Sequence, residues 1–94
     1  MKINKTTLSK YEKLIQEAGY VIRYERGTFQ SGYCILEHKK VIVLNKFLDI
    51  EGRLNTILEM LPQLEVNIDK LTLEQQKMYE NVLSVAEIAK EETA

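Results

Sequence analysis

Apolar residues recur at helical spacing near the start of the chain. They form one stripe along a helix, and its members are Leu8, Tyr11, Leu14, Ile15 and Ala18. Thr6 or Thr7 can begin this helix, because a threonine hydroxyl accepts a hydrogen bond from an unpaired N–H of the first turn. Gly19 suits the left-handed backbone position just beyond a helix end. The pattern therefore predicts a first helix that ends just before Gly19.

Three strand-like segments follow the first helix. Residues 20–26 alternate between two faces, as a half-buried strand does. Residues 27–32 have the composition of a turn, and residues 33–37 form the second strand. Residues 41–44 are apolar at each position, which is typical of a strand that is central in its sheet or covered on both faces. Because the links between the strands are short and polar, we expect a three-stranded antiparallel meander.

Two helices are predicted in the second half of the chain. Asp49 can cap the second helix, and Pro62 should end it, because proline lacks the backbone donor that a helix needs. Residues 63–71 are predicted as a loop with room for one helical turn. Thr72 and Gln75 have the spacing of a capping box at the start of the third helix. The second helix has the apolar stripe Ile50, Leu54, Ile57, Leu58 and Leu61, and the third has Met78, Tyr79, Val82, Val85, Ala86 and Ala89.

Length and composition point to one small α+β domain over residues 1–94, with the order α-β-β-β-α-α. The chain has 94 residues with one Cys and one His, which excludes an internal disulfide framework and a zinc site built from Cys or His ligands. The longest apolar run is the four residues 41–44, far short of the roughly 20 that span a bilayer. No signal-peptide core is visible near the N-terminus. We therefore expect a cytoplasmic protein in which Cys34 is reduced.

The small net charge of −1 hides an asymmetry between the two halves of the chain. Residues 1–47 carry nine Lys and Arg against four Asp and Glu, whereas residues 48–94 carry four against ten. The halves can neutralise each other within one fold, or copies can associate head to tail. The basic half can also face nucleic acid or an acidic partner. The candidate contacts for such a partner are Arg23, Arg26, Lys39, Lys40 and Lys46.

The residues that could support catalysis are few and far apart. Cys34 and His38 are four residues apart, roughly 13 Å along a strand, which is too far for proton transfer. Glu51 and Glu59 are eight residues apart, roughly 12 Å along a helix, so they cannot share a small substrate. No glycine-rich phosphate loop precedes a helix. The sequence therefore predicts a protein without a catalytic site.

One stretch of the chain, residues 32–63, contains residues 32–36 (GYCIL), residues 41–45 (VIVLN), Arg53 and residues 56–61 (TILEML). Through these residues the stretch resembles the core of the ImmA/IrrE-type zinc metallopeptidases. In that family an apolar strand that closes on Asn is followed by a helix with the HExxH motif. The two histidines of that motif hold zinc, and the glutamate polarises a water molecule.

The metal-binding and catalytic residues of that family are missing from this chain. Glu59 stands at the position of the first histidine, Met60 at the glutamate and Gln63 at the second histidine. Pro62 occupies a position that is usually Gly. The resemblance therefore implies a zincin-like scaffold without the zinc chemistry.

Three function hypotheses follow from these patterns. The first is a non-catalytic protein-interaction or self-association module, for which a homodimer through an edge strand is one form. The second is a nucleic-acid-binding or regulatory protein that uses the basic residues of the sheet. The third is a degenerate zincin-like hydrolase that binds a metal through Glu59 and Gln63. We expect no cofactor, no bound metal and no membrane contact.

Overall fold

The fold is described by a computed structural model that covers residues 2–26 and 33–93. Its elements are α1 (Lys5–Glu17), β1 (Val21–Glu25), β2 (Tyr33–Leu36), β3 (Val41–Asn45), α2 (Ile50–Met60) and α3 (Leu73–Thr93). Three short 3₁₀ turns complete it, at Glu37–Lys39, Leu61–Gln63 and Ile68–Lys70. The α+β class and the order α-β-β-β-α-α are confirmed. The turn predicted at residues 27–32 lies outside the described residues.

The three strands form a mixed sheet in the order β1-β3-β2, so the predicted antiparallel meander is wrong. β1 pairs with β3 in parallel, with Val21 opposite Val41, and β2 pairs with β3 antiparallel, with Leu36 opposite Val41. The segment predicted to be central, residues 41–44, does lie in the central strand. Seven residues, 26–32, separate β1 from β2, which is enough chain to span the roughly 10 Å between strands on either side of a third one.

The hydrophobic core lies between one face of this sheet and the helices. Ile42 and Leu44 of β3 are fully buried in it, together with Leu14 of α1 and Ile57 of α2. Burying one such aliphatic side chain contributes roughly 1.5–3 kcal/mol. The stripes predicted for α1 and α2 therefore do form the interior side of these helices.

Side chains of the opposite face, here called the outer face, alternate with the core residues along each strand. On β3, Val41 and Val43 belong to this face, and Val43 is buried between its neighbours. On β1, the outer face carries Val21, Arg23 and Glu25, and Val21 is 56% exposed. The β1 side of the outer face is therefore the more open side.

The start of α1 differs from the prediction, whereas its end agrees. Asn4 is the N-cap, because its side-chain oxygen accepts a hydrogen bond from the Thr7 N–H at 2.8 Å. Thr6 and Thr7 lie inside the first turn, so neither threonine caps the helix. Asn is as good a cap as Thr or better, which explains the earlier start. Gly19 has a φ of +98° and confirms the predicted left-handed position.

The local signals of the second half of the chain are confirmed. Asp49 caps α2 by accepting a hydrogen bond from the Gly52 N–H at 2.7 Å. α2 ends at Met60, and Pro62 lies in the 3₁₀ turn that follows. Thr72 and Gln75 form the capping box, with reciprocal hydrogen bonds of 3.0 and 3.2 Å.

The stripe predicted for α3 is confirmed only in part. Tyr79 and Val82 are buried, but Val85 is 67% exposed, so the prediction for Val85 is wrong. α3 packs against the Leu61–Gln63 turn, and the buried residues described on α3 end at Val82. The side chains of Ala86 and Ala89 lie outside the described residues. Among the described helices, none is both long and apolar enough to cross a lipid bilayer.

Candidate interaction surface

A hydrogen-bonded turn between β3 and α2 presents an aromatic side chain to solvent. The side-chain oxygen of Asn45 accepts a hydrogen bond from the Phe47 N–H at 3.0 Å, and the Leu48 N–H donates to the Asn45 carbonyl at 3.2 Å. Arg53 of α2 donates to the Leu48 carbonyl at 2.9 Å and to the Lys46 carbonyl at 3.1 Å. Hydrogen bonds to Asn45 and from Arg53 therefore fix the backbone on both sides of Phe47.

Phe47 is 69% exposed, and two cations lie near its ring. The Arg26 guanidinium is 5.8 Å from the ring centroid, and the Lys46 ammonium is 5.7 Å from it. At exposed sites such a cation–π contact is worth roughly 0.5–1 kcal/mol, so these contacts orient the three side chains more than they stabilise the fold. We call Arg26, Lys46 and Phe47 together the Phe47 surface.

Sequence reasoning missed Phe47, although a signal was present. Phe47 belongs to neither the β3 pattern nor the α2 stripe, and it lies two residues before the helix cap Asp49. An aromatic residue outside each apolar pattern has no assigned place in the core. Such a residue is a candidate for a contact surface, since large apolar side chains are enriched where partners bind.

The turn is anchored to the rest of the molecule through Tyr24. The Arg53 guanidinium lies 4.5 Å from the centroid of the Tyr24 ring, and the Tyr24 hydroxyl donates a hydrogen bond to the Glu12 carboxylate of α1. Burial raises the pKa of Tyr24, and the hydrogen bond to Glu12 raises it further. Tyr24 therefore stays protonated at neutral pH and keeps donating to Glu12. Glu12, Tyr24 and Arg53 link α1, β1 and α2 beneath the turn.

The five basic residues predicted as one contact set do not form one patch. Lys40 and Lys46 flank β3 at opposite ends, roughly 20 Å apart along the strand. Arg23 is paired with Glu25 on the outer face at 2.9 Å. Of the five, Arg26 and Lys46 lie close together, since both contact the Phe47 ring. The reason is that the parallel strands β1 and β3 have their C-terminal ends side by side.

The end of the sheet that carries Lys39 and Lys40 is tied to the segment after α2. The Lys40 ammonium is 3.1 Å from the Glu65 carboxylate and 4.8 Å from the centroid of the Tyr20 ring. The hydrogen bond that the Lys40 ammonium donates to the Glu65 carboxylate is the largest cause of the raised pKa of Lys40. The Glu65 N–H also donates to the Tyr20 hydroxyl at 3.1 Å. The Lys40 side chain is therefore engaged in contacts within the molecule, with Glu65 and Tyr20, whereas Lys39 is exposed.

The three positions singled out by the zincin resemblance point in different directions. Glu59 is exposed, whereas Met60 is fully buried in the core. The Gln63 amide donates to the Tyr33 hydroxyl at 3.0 Å. Glu59 and Met60 thus lie on different sides of the end of α2, and Gln63 is engaged with β2.

Other candidate ligands and nucleophiles are also dispersed. Cys34 is half-buried on β2, and His38 is exposed in the Glu37–Lys39 turn. Across residues 2–26 and 33–93, no three side chains of His, Cys, Asp or Glu lie close enough together to hold a metal ion.

Comparisons of the chain with protein-family models, with curated proteins and with solved structures gave no match.

Proposed function

We propose that this chain is a small non-catalytic interaction domain that binds a protein partner through the Phe47 surface. The observation that carries the proposal is an exposed phenylalanine on a turn whose backbone is hydrogen-bonded on both sides. Aromatic residues and arginine dominate the energetic centres of protein interfaces. A turn that is already ordered loses little conformational entropy when it binds, which favours affinity.

The chemistry of the Phe47 surface defines what a partner must offer. Burying the ring in an apolar pocket would contribute roughly 1.5–3 kcal/mol. Arg26 and Lys46 lie beside the ring, so carboxylates at the rim of that pocket would pair with them. Such rim charges increase the association rate and the specificity more than the affinity. The expected partner is thus a protein with an apolar pocket and an acidic rim.

Nucleic acid is the second candidate partner, because the same three side chains could bind it. A base can stack on the Phe47 ring while Arg26 and Lys46 contact phosphates. For a single strand, two phosphate contacts predict a slope of about −1.4 when log K is plotted against log salt concentration. That electrostatic contribution is small for a nucleic-acid site, and Arg23 and Lys40 are each within ion-pair distance of a carboxylate. The protein partner is therefore favoured.

The experiment is affinity capture from native lysate with the wild type and two alanine variants. Phe47→Ala removes the proposed contact. Leu73→Ala is the matched control, because Leu73 is 77% exposed but lies at the start of α3. Each lysate is split into nuclease-treated and untreated halves, and circular dichroism checks that each variant is folded.

The proposal expects the same protein with the wild type and the Leu73 variant in both halves, and its loss with the Phe47 variant. Equal recovery by all three proteins would contradict it. Recovery that is lost after nuclease treatment would support the second candidate instead.

A further inference from the structure

The strand β1 forms an edge of the sheet, and its backbone geometry determines which residues can pair there. The Val21 N–H donates to the Lys40 carbonyl at 2.8 Å, and the Glu25 carbonyl accepts from the Lys46 N–H at 3.0 Å. Backbone groups alternate sides along a strand, so those of Ile22 and Tyr24 point away from β3. Among the described strands, none pairs with this side of β1.

Two opposite charges lie next to this edge on the outer face. Arg23 and Glu25 form an ion pair of 2.9 Å, and their side chains are 61% and 43% exposed. Each charge is therefore accessible to a strand added beside β1. Opposite charges directly across two strands stabilise the pairing, and like charges destabilise it.

We infer that two copies of this chain pair through β1 in antiparallel orientation, with Tyr24 opposite Tyr24 of the second copy. Pairing of identical edges in one continuous sheet is antiparallel and has twofold symmetry. Hydrogen-bonded pairs must join residues whose backbone points outward, and Tyr24 is such a residue. In this register Arg23 lies opposite Glu25 of the second copy, and Glu25 lies opposite Arg23 of the second copy.

The charges distinguish this register from its neighbours. A shift of one residue would place inward-pointing backbone groups opposite outward-pointing ones. A shift of two residues in one direction would place Arg23 opposite Arg23 of the second copy. The same shift in the other direction would place Glu25 opposite Glu25 of the second copy. Only the register centred on Tyr24 pairs opposite charges at both positions.

The resulting contact is small, so the dimer is weak and depends on concentration. This register pairs only residues 23–25 of the five-residue strand β1 with the same residues of the second copy, and so short a contact buries less than the roughly 1,200 Å² that stable interfaces need. The formal net charge of −1 per chain adds little repulsion between copies. This inference rests on the proposed interaction function, because it names a second copy as one partner. The register places Arg26 opposite Ile22 of the second copy, whereas Phe47 and Lys46 lie outside β1, so a change at Phe47 lets the two proposals fail separately.

Sedimentation equilibrium of charge variants tests the register. Arg23→Glu gives a chain with two acidic residues at the edge, and Glu25→Arg gives a chain with two basic ones. Each variant alone would place like charges across the strands and dimerise roughly tenfold more weakly than the wild type. An equimolar mixture would restore dimerisation, because each acidic residue then lies opposite a basic one. Neither chain regains its internal ion pair in the mixture, so only pairing between chains explains the rescue.

The expected wild-type result is an average mass that increases from 11.0 kDa towards twice that value with concentration. A wild type that stays monomeric up to about 1 mM, a range that detects even very weak pairing, would overturn the inference. Variants that dimerise as the wild type does, or a mixture that stays monomeric, would also overturn it. Phe47→Ala should dimerise normally, which separates this outcome from that of the capture experiment.

Discussion

The two ends of β3 carry the same chemistry with opposite exposure. Before the strand, the Lys40 ammonium lies over the ring of Tyr20, which is only 2% exposed. After the strand, the Lys46 ammonium lies beside the ring of Phe47, which is 69% exposed. The first aromatic ring is used to join parts of the molecule, whereas the second is left for solvent or a partner. Cation–π geometry alone thus does not identify a binding surface, and ring exposure makes the distinction.

The largest expected effect is the difference in stability between alanine variants of the two rings. Tyr20→Ala should lower the free energy of unfolding by roughly 3–5 kcal/mol, because it leaves a cavity in the core. It also removes the hydroxyl that accepts the Glu65 N–H. Phe47→Ala should lower the free energy of unfolding by no more than about 1–2 kcal/mol, because it removes only the two exposed cation–π contacts. Urea denaturation measures both, and similar losses for the two variants would contradict the comparison.

A smaller effect is expected from the anchor beneath the Phe47 turn. Arg53→Ala removes hydrogen bonds to the carbonyls of Lys46 and Leu48, each worth roughly 0.5–1.5 kcal/mol. Hydrogen exchange of the backbone amides of Phe47 and Leu48 should become faster in this variant. Arg53→Lys is the control for charge, because lysine keeps the positive charge without the planar donor group.

Loss of partner binding in Arg53→Ala, with a fold that is otherwise intact, would show that the order of the turn matters for recognition. Unchanged amide exchange in this variant would contradict the role assigned to Arg53.

Tyr24, whose ring lies beneath the Phe47 turn, should make the stability of the fold depend on pH in the alkaline range. The pKa of Tyr24 is raised in the folded state, so its stabilising contribution is fully present below pH 10, the ordinary pKa. That contribution is lost as the pH increases through the folded-state value. Tyr24→Phe should therefore weaken the decline in stability above about pH 10, the window set by the ordinary tyrosine pKa. Denaturation at a series of alkaline pH values checks this, and identical slopes for the wild type and the variant would contradict it.

The smallest effect is expected at Lys40. Its ion pair with Glu65 is exposed, and such pairs contribute little. Lys40 also has a φ of +53°, which glycine adopts without strain. Lys40→Gly should therefore be less destabilising than Lys40→Ala, because both variants lose the ion pair but only glycine relieves the backbone. Thermal unfolding ranks the stabilities of the two variants. A less stable Lys40→Gly would contradict the claim that the backbone of Lys40 is strained.

Local features of this fold could be predicted from the sequence because their causes are local. The Asp49 cap and the capping box of Thr72 and Gln75 depend on residues within three positions of one another. The same holds for Gly19 after α1. The strand order could not be predicted in this way, because pairing between β1 and β3 joins residues about twenty positions apart. Short polar links favoured a meander, and they carried no information on which strand would lie between the others.

The error in strand order also explains why the candidate site was missed. In a meander, β1 and β3 would lie on either side of β2, and Arg26 and Lys46 would be roughly 10 Å apart across the sheet. In the observed sheet, β1 and β3 are neighbours, so both cations reach the Phe47 ring. Exposure of Phe47 depends on how the turn packs on α2, which one-dimensional periodicity does not describe.

The most direct test of the central claim is the affinity of the captured partner for the wild type, for Phe47→Ala and for Leu73→Ala. A ring at the energetic centre of an interface is worth 2 kcal/mol or more, which corresponds to about thirtyfold weaker binding for the Phe47 variant. The account predicts this loss with no change for the Leu73 variant. Equal affinity of the wild type and the Phe47 variant would contradict the claim that the Phe47 surface is the binding site.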